Sequence, residues 1–338
     1  MAGLFRSKRV IGVDLSEDKA TLIQAKETFR KLEIEKFFIV EKEGNEEKVF
    51  PNIRCKLNFD VEDIIVTNAR MDLVIFITMD VPLGLKRKEY EEMAKLEAAR
   101  NFGIPAGGIL SALLGRAGNK AMFAIAKKET ISETALRHLE DLGLGEPDVV
   151  IPDVFKYLYM VDIGSNGNII FVVLNFVKDY FAVVLQSFTE ILGIRVIFRE
   201  LSEIVSFIRE NEGVDIYRVE NVNELNGTAM AFLKRELTDL SLEIDREISL
   251  MMDESFQSVG LYNIDAVVLV TDPNVLEGVF REVFFSVNSN LTLGNSSLKY
   301  SMNLPNIWLN IYKGALGLTL RGVEGERIEF VSLKEEKG

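Results

Sequence analysis

The stretch Tyr159-Met160-Val161-Asp162-Ile163-Gly164-Ser165-Asn166-Gly167-Asn168, with the apolar run from Ile169 to Val173 behind it, restricts the fold more than any other part of the chain. A β-branched run ends on an Asp and a cluster of Gly, Ser and Asn, and another β-branched run leaves it, which predicts strand, tight turn, strand. Glycines in such a turn allow positive φ or a close backbone approach. An Asp at this point has two readings. One is a plain hairpin. The other is a phosphate site, in which convergent N–H groups meet an anion and the carboxylate holds a hydrated Mg²⁺.

The pattern has an echo near the start, where Val10-Ile11-Gly12-Val13-Asp14-Leu15-Ser16-Glu17-Asp18 runs into Ala20-Thr21-Leu22-Ile23-Gln24-Ala25. Asp14 and Asp162 are separated by about one ordinary domain length, so the chain reads as a duplicated unit. Two such hairpins facing each other across a cleft are the skeleton of the actin-like and sugar-kinase superfamily. The expected fold class is therefore α/β, with duplicated RNase H-like domains and a small inserted α+β subdomain.

Length and charge agree with this and narrow the function. With 338 residues, 48% hydrophobic and 27% charged, the chain can bury two cores of ordinary size. A formal net charge of −13 disfavours general affinity for nucleic acid or an anionic bilayer, so charged partners should be basic. One cysteine, Cys55, and one histidine, His138, exclude an internal disulfide, a Cys/His zinc site and a two-histidine catalytic arrangement. No apolar run reaches the roughly 18 residues of a membrane span, and the basic start, Met1 to Arg9, lacks the apolar core of a signal peptide. A cytoplasmic protein is expected.

In chain order, residues 1–80 and 127–157 are expected to form the first domain and 81–126 the inserted subdomain. Residues 158–200 and 263–338 would form the second domain, and 201–262 a helical subdomain. Leu32 to Val40 reads as a third strand, Leu73 to Met79 as a buried parallel strand, and Lys86 to Asn101 as a charged helix closed by Gly103 and Pro105. Thr130 to Leu142 is helical. The clearest helix carries Phe232, Leu233, Leu237, Leu240, Ile244, Ile248 and Met251 on one stripe. Asp265 to Thr271 reads as a buried strand, and Ile328 to Val331 as an edge strand. Gly314, Ala315 and Gly317 are poor helix formers unless another backbone approaches closely, which predicts a helix crossing there.

The order of these parts resembles the type IV pilus assembly protein PilM family, relatives of the cell-division protein FtsA within the actin-like superfamily. The resemblance rests on Gly3-Leu4-Phe5, Ile11-Gly12-Val13-Asp14, Val81-Pro82, Glu89 to Pro105 with Leu96-Glu97-Ala98, Asp162-Ile163-Gly164, and Lys313-Gly314-Ala315-Leu316-Gly317-Leu318. It implies a cytosolic scaffold, peripheral at the inner face of the cytoplasmic membrane through its partners. Those partners would be the cytoplasmic N-terminal peptide of a PilN-like membrane protein and other proteins of the pilus platform. It also implies a nucleotide pocket around Asp14, Ser16, Asp162, Gly164, Ser165, Asn166, Gly167 and Thr271.

This chain departs from that pattern. Ser16 stands where glycine is expected, and Glu17 and Asp18 stand where hydroxyls are expected. Each carboxylate would repel a phosphate charge by about 4 kcal/mol at 4 Å and an effective dielectric near 20. Thr271-Asp272-Pro273-Asn274 replaces a glycine run, and Gln186-Ser187-Phe188-Thr189 a Gly-Gly pair. The expectation is a degenerate site that binds no cofactor or ATP/Mg only weakly, with no catalytic and no metal-binding residues. The alternative is an active ATPase or small-molecule kinase in which Asp14 and Asp162 position Mg²⁺ and water. The peptide is expected to dock between the first domain and the insert, near Val81 to Ala106, with Tyr90 and Phe102 as contacts.

Overall fold

A computed structural model describes residues 9–28, 31–44, 48–57, 59–60, 62–161, 167–188, 190–259, 263–288, 290–294 and 304–324. Its first sheet begins with the meander β1 (Arg9–Leu15), β2 (Lys19–Thr28) and β3 (Lys31–Glu41). Two further strands, β4 (Ile64–Ala69) and β8 (Val149–Pro152), join parallel to β1 and to each other, in the order β3-β2-β1-β4-β8. The second sheet repeats the arrangement. A meander of β9 (Asn168–Asn175), β10 (Tyr180–Ser187) and β11 (Glu190–Phe198) receives β12 (Ala266–Asp272) parallel to β9, in the order β11-β10-β9-β12. A parallel bridge from Val267 to Leu293 stands beside β12 as β8 stands beside β4. The duplication expected from the sequence is present as topology.

The pairing also corrects the sequence reading. The hairpin of the second sheet that matches β1–β2 is β9–β10, whose turn is Phe176-Val177-Lys178-Asp179, and Asn175 occupies the strand end that Asp14 and Leu15 hold in the first sheet. Tyr159 and Met160, read from sequence as a strand, form a turn after the short helix α4 (Phe155–Leu158). The error was one hairpin of register. The run from Ile169 to Leu174 is apolar on both faces, as a central strand must be, and it is the first arm of its hairpin where the sequence pattern predicts the second.

A third sheet, β5-β7-β6, contains β5 (Val74–Asp80), β6 (Ile109–Ala117) and β7 (Lys120–Lys127), all antiparallel, packed on α1 (Arg87–Phe102). The segment expected as a buried parallel strand is thus the outer strand β5 of this small α+β unit. Its side chains are mostly half-buried or exposed, and Ile75 is 46% exposed, as suits an edge. The Thr130 to Leu142 helix is observed as α2 (Lys128–Ile131), a π-helical turn and α3 (Arg137–Asp141).

Alternation divides the cores. Ile169, Phe171 and Val173 belong to the core that the first sheet and α8 (Asn306–Glu324) build, while Ile170, Val172 and Leu174 share a second core with three helices. Those helices are α5 (Ser202–Glu212), α6 (Gly227–Val259) and α7 (Glu277–Val287). On α6, the stripe Leu233, Leu237, Leu240, Ile244, Ile248 and Met251 is buried as its spacing predicts. The last of the described helices, α8 (Asn306–Glu324), crosses back to pack on β1, β2 and β4 of the first sheet. No helix among the described residues is long and apolar enough to cross a membrane.

Candidate functional site: the crevice between the two sheets

The two hairpin turns meet over a buried cluster of charges. Asp14 leaves the end of β1, Asp153 follows β8, and Lys156 comes from α4, whose single turn places residues 153 and 156 on one side. The Lys156 ammonium donates to both Asp14 oxygens at 2.9 and 3.0 Å and to Asp153 Oδ1 at 2.8 Å, with no side-chain exposure of its own. From the second sheet, Lys178 at the tip of the β9–β10 turn reaches Asp14 Oδ1 at 2.5 Å and Asp153 Oδ1 at 2.6 Å. Two carboxylates and two ammonium groups therefore balance at the floor of the crevice.

Neutral polar groups complete the cluster. Tyr180 donates its hydroxyl to Asp153 Oδ2 at 2.7 Å, and Tyr157 donates to Asp272 Oδ2 at 2.6 Å. Asn175 donates to the Tyr157 hydroxyl at 2.9 Å, while its own carbonyl oxygen accepts from the Val177 and Lys178 N–H groups at 3.0 and 2.9 Å. That Asx-type turn presents Lys178 to the first sheet. Burial works to raise the Asp153 carboxyl, but the charges of Lys156 and Lys178 prevail and hold it at about 2. Burial likewise opposes the charge on Lys156, and Asp14 and Asp153 carry it above the ordinary lysine value. Asp272 is raised, chiefly by burial, and burial with the nearby carboxylates pushes both tyrosines well up. A buried charge is tolerated when paired and hydrogen-bonded, as Asp14, Asp153, Lys156 and Lys178 are.

α8 fits this floor because it lacks side chains at the contact. A Cβ at Gly314 would overlap the Asp14 carboxylate, and one at Gly317 would overlap the Lys156 carbonyl. The crossing predicted from Gly314, Ala315 and Gly317 is thus a close approach of α8 to α4 and to Asp14. Above the floor lies an open crevice of about 480 Å³ between Ser16, Glu17 and Arg70 to Asp72 of the first sheet and Val177 to Tyr180 and Phe198 to Glu200 of the second.

Of the residues expected to form a nucleotide pocket, the four described ones, Asp14, Ser16, Gly167 and Thr271, are not gathered in one place. Asp14 is at the floor and Ser16 at the rim, where both its N–H and its hydroxyl donate to the Lys19 carbonyl at 2.8 Å. Thr271 is buried, with its hydroxyl on Pro273 O and its carbonyl on the Lys313 ammonium at 2.8 Å. Gly167 lies at the start of β9, roughly 25 Å along the strand from Asn175 at about 3.3 Å per residue. There the N–H groups of Gly167 and Asn168 converge on an anion as the turn predicted, and the anion is the Asp265 carboxylate, at 3.0 and 2.8 Å. Asp162, Gly164, Ser165 and Asn166 lie outside the described residues, as do Met1 to Lys8 and the segment from Ile328 to Val331.

Tyr90, expected as a partner contact, is 2% exposed in the core of the small unit. Its hydroxyl donates to Pro82 O at 2.8 Å and accepts from Arg116 at 2.6 Å. Its place on α1 puts it on the face turned to the sheet. Phe102 is half-buried, with the Lys127 ammonium 5.5 Å from its ring centre. The residues missed from sequence are Asp153, Lys156, Asn175, Lys178, Tyr157 and Tyr180. The available signal was that charged and amide groups at 153, 156 and 175 interrupt otherwise apolar strands and turns.

No protein-family model matches the chain, and no curated protein matches it. Among solved structures it is similar to a PilM-PilN type IV pilus biogenesis complex, with a TM-score of 0.66, 20% identity, and coverage of 94% of this chain and 99% of that one. The ethanolamine utilization protein EutJ from Carboxydothermus hydrogenoformans follows at a TM-score of 0.43 and 10% identity, over 92% of this chain and 88% of that one. The cytoplasmic domain of EpsL, from the type II secretion system of Vibrio cholerae, gives 0.37 and 14%, over 61% and 77%. With the duplicated sheet order, the first of these places the chain in the actin-like fold.

Proposed function

We propose that this chain is a scaffold of a type IV pilus or related secretion platform, which holds the cytoplasmic N-terminal peptide of a PilN-like membrane protein and has lost its nucleotide site. The observation that carries the reading is the pair of lysines on Asp14. An actin-like fold implies MgATP at this crevice, and the residues present do not fit it. Both Asp14 oxygens and Asp153 Oδ1 are taken by Lys156 and Lys178, the counterpart of Asp14 in the second hairpin is Asn175, and exposed Glu17 lines the crevice where phosphates would lie. The likeness, over 94% of this chain, to a chain of a PilM-PilN type IV pilus biogenesis complex supports the partner. The outer strand β5 supports a docking mode, since a peptide can add to an open sheet edge, and Ile75 on that strand and Leu83 in the turn after it are 46% and 69% exposed.

Two measurements on the full chain test this. Calorimetry with a synthetic N-terminal peptide of the PilN-like protein should give saturable binding, weakened about tenfold or more by Ile75→Asp with Leu83→Asp, equivalent to about 1.4 kcal/mol. No binding, or binding indifferent to both changes, refutes the docking site. Millimolar MgATP should leave Tm unchanged, because a ligand of the native state must raise it. A rise of several degrees refutes the loss of the site.

A further inference from the structure

The tie between the two sheets has a hinge side and a mouth side. On the hinge side α8 packs on the first sheet, Tyr157 donates to Asp272, and Lys156 is sealed from solvent. On the mouth side, Lys178 lines the crevice with 11% of its side chain exposed, and it belongs to the second sheet while both its carboxylate partners belong to the first. Its backbone is held on both flanks. Asn175 accepts from the Lys178 N–H, and Asp179, in the left-handed region at φ 55, accepts from Ser202 N at 2.7 Å and Ser202 Oγ at 3.0 Å at the start of α5.

We propose that Lys178 is a built-in strap across the crevice, so that an internal cation, in place of a bound ligand, sets the closure angle of the two halves. In part this rests on the reading that the site has lost its nucleotide. The charges give the reason for the strap. With Lys178 present, Asp14 and Asp153 face two ammonium groups. Without it, two carboxylates of the first half share Lys156 alone, and they lower their free energy by admitting water in place of the lost ammonium. Opening at the mouth is the motion that does this without breaking the hinge-side contacts. Such a strap would hold a scaffold in one shape whatever the nucleotide level.

Spin labels on Glu17→Cys and Glu200→Cys, which line opposite walls of the crevice, report the angle in a Cys55→Ser background of the full chain. The parent should give one narrow distance distribution that MgATP leaves in place. Lys178→Met should lengthen it by several ångströms and broaden it, and Lys178→Arg should restore it. Lys178→Gln, which keeps the stem and a donor, gives the same readout at reduced amplitude if the Met variant does not fold. A distribution in Lys178→Met or Lys178→Gln identical to the parent overturns the strap, as does a parent whose distance shortens with MgATP. Nucleotide binding to the parent by thermal shift with no change in distance refutes the lost site and leaves the strap standing.

Discussion

Lys156→Met is expected to destabilise the fold by about 3–5 kcal/mol, the usual cost of removing one partner from a buried ion pair. Lys156 is fully buried, and its three short contacts to Asp14 and Asp153 cannot be replaced by water from the crevice. The loss leaves both carboxylates dependent on Lys178. Urea unfolding measures it. In a double-mutant cycle, Lys156→Met with Asp153→Asn should cost less than the sum of the single changes by more than 1 kcal/mol, because the second change removes the charge that the first strands. Additive losses would mean that packing, and not charge, holds the cluster.

The same cluster fixes a pH dependence. The Asp153 carboxyl sits at about 2 in the folded chain against an ordinary 3.8, so its contribution is complete above about pH 4 and is lost as pH falls toward 2. Lys156 is raised, so its contribution is complete below its ordinary 10.5 and is lost only as pH climbs through the raised value. Asp272 runs the other way. Its raised carboxyl takes up a proton more readily when folded, so the cost of ionising it is relieved on acidification. Melting curves should show a steep fall in Tm between pH 4 and pH 2. In Asp153→Asn that acid step should shrink, from a lower starting stability at neutral pH.

How far the sequence revealed this molecule depends on which signal each part used. The duplicated sheet, the α6 stripe and the α8 crossing were legible because period and glycine spacing are local properties of the chain. The register of the second hairpin was not. A β-branched run between two turns can be either arm of a hairpin, and only the partner strand β12, nearly a hundred residues later, decides that Ile169 to Leu174 is central. Asp162-Ile163-Gly164 is a recognisable sequence pattern, whereas Asn175-Phe176-Val177-Lys178-Asp179 carries none. Its meaning appears when Lys178 meets Asp14 and Asp153, which are distant in sequence. Tyr90 was misjudged for a related reason. An aromatic at helical spacing lies on the buried face as readily as the exposed one, and the face is chosen by the small sheet, whose strand β5 the apolar run of Leu73 to Met79 does not distinguish from a buried parallel strand.

Gly12→Ala is expected to cost about 3 kcal/mol or more, at the upper end of overpacking changes. Gly12 sits in the middle of β1, and an added Cβ would overlap the Ala315 carbonyl and the Thr319 hydroxyl of α8 and stand 2.7 Å from the Thr319 nitrogen. Two of those three atoms are backbone, which cannot rotate away. The helix must lift from the sheet, and with it goes the fit of Gly314 over Asp14 and of Gly317 over Lys156, so the charge cluster loses its cover as well. Gly278 makes the opposite case in the same protein. It lies inside α7 with nothing within 4 Å of an added Cβ, so Gly278→Ala should gain up to about 1 kcal/mol from helix propensity alone. Denaturant midpoints for the two variants should therefore move in opposite directions. A Gly12→Ala midpoint equal to the parent's would mean that α8 does not lie against β1 at this distance, and the floor of the crevice would have to be built differently.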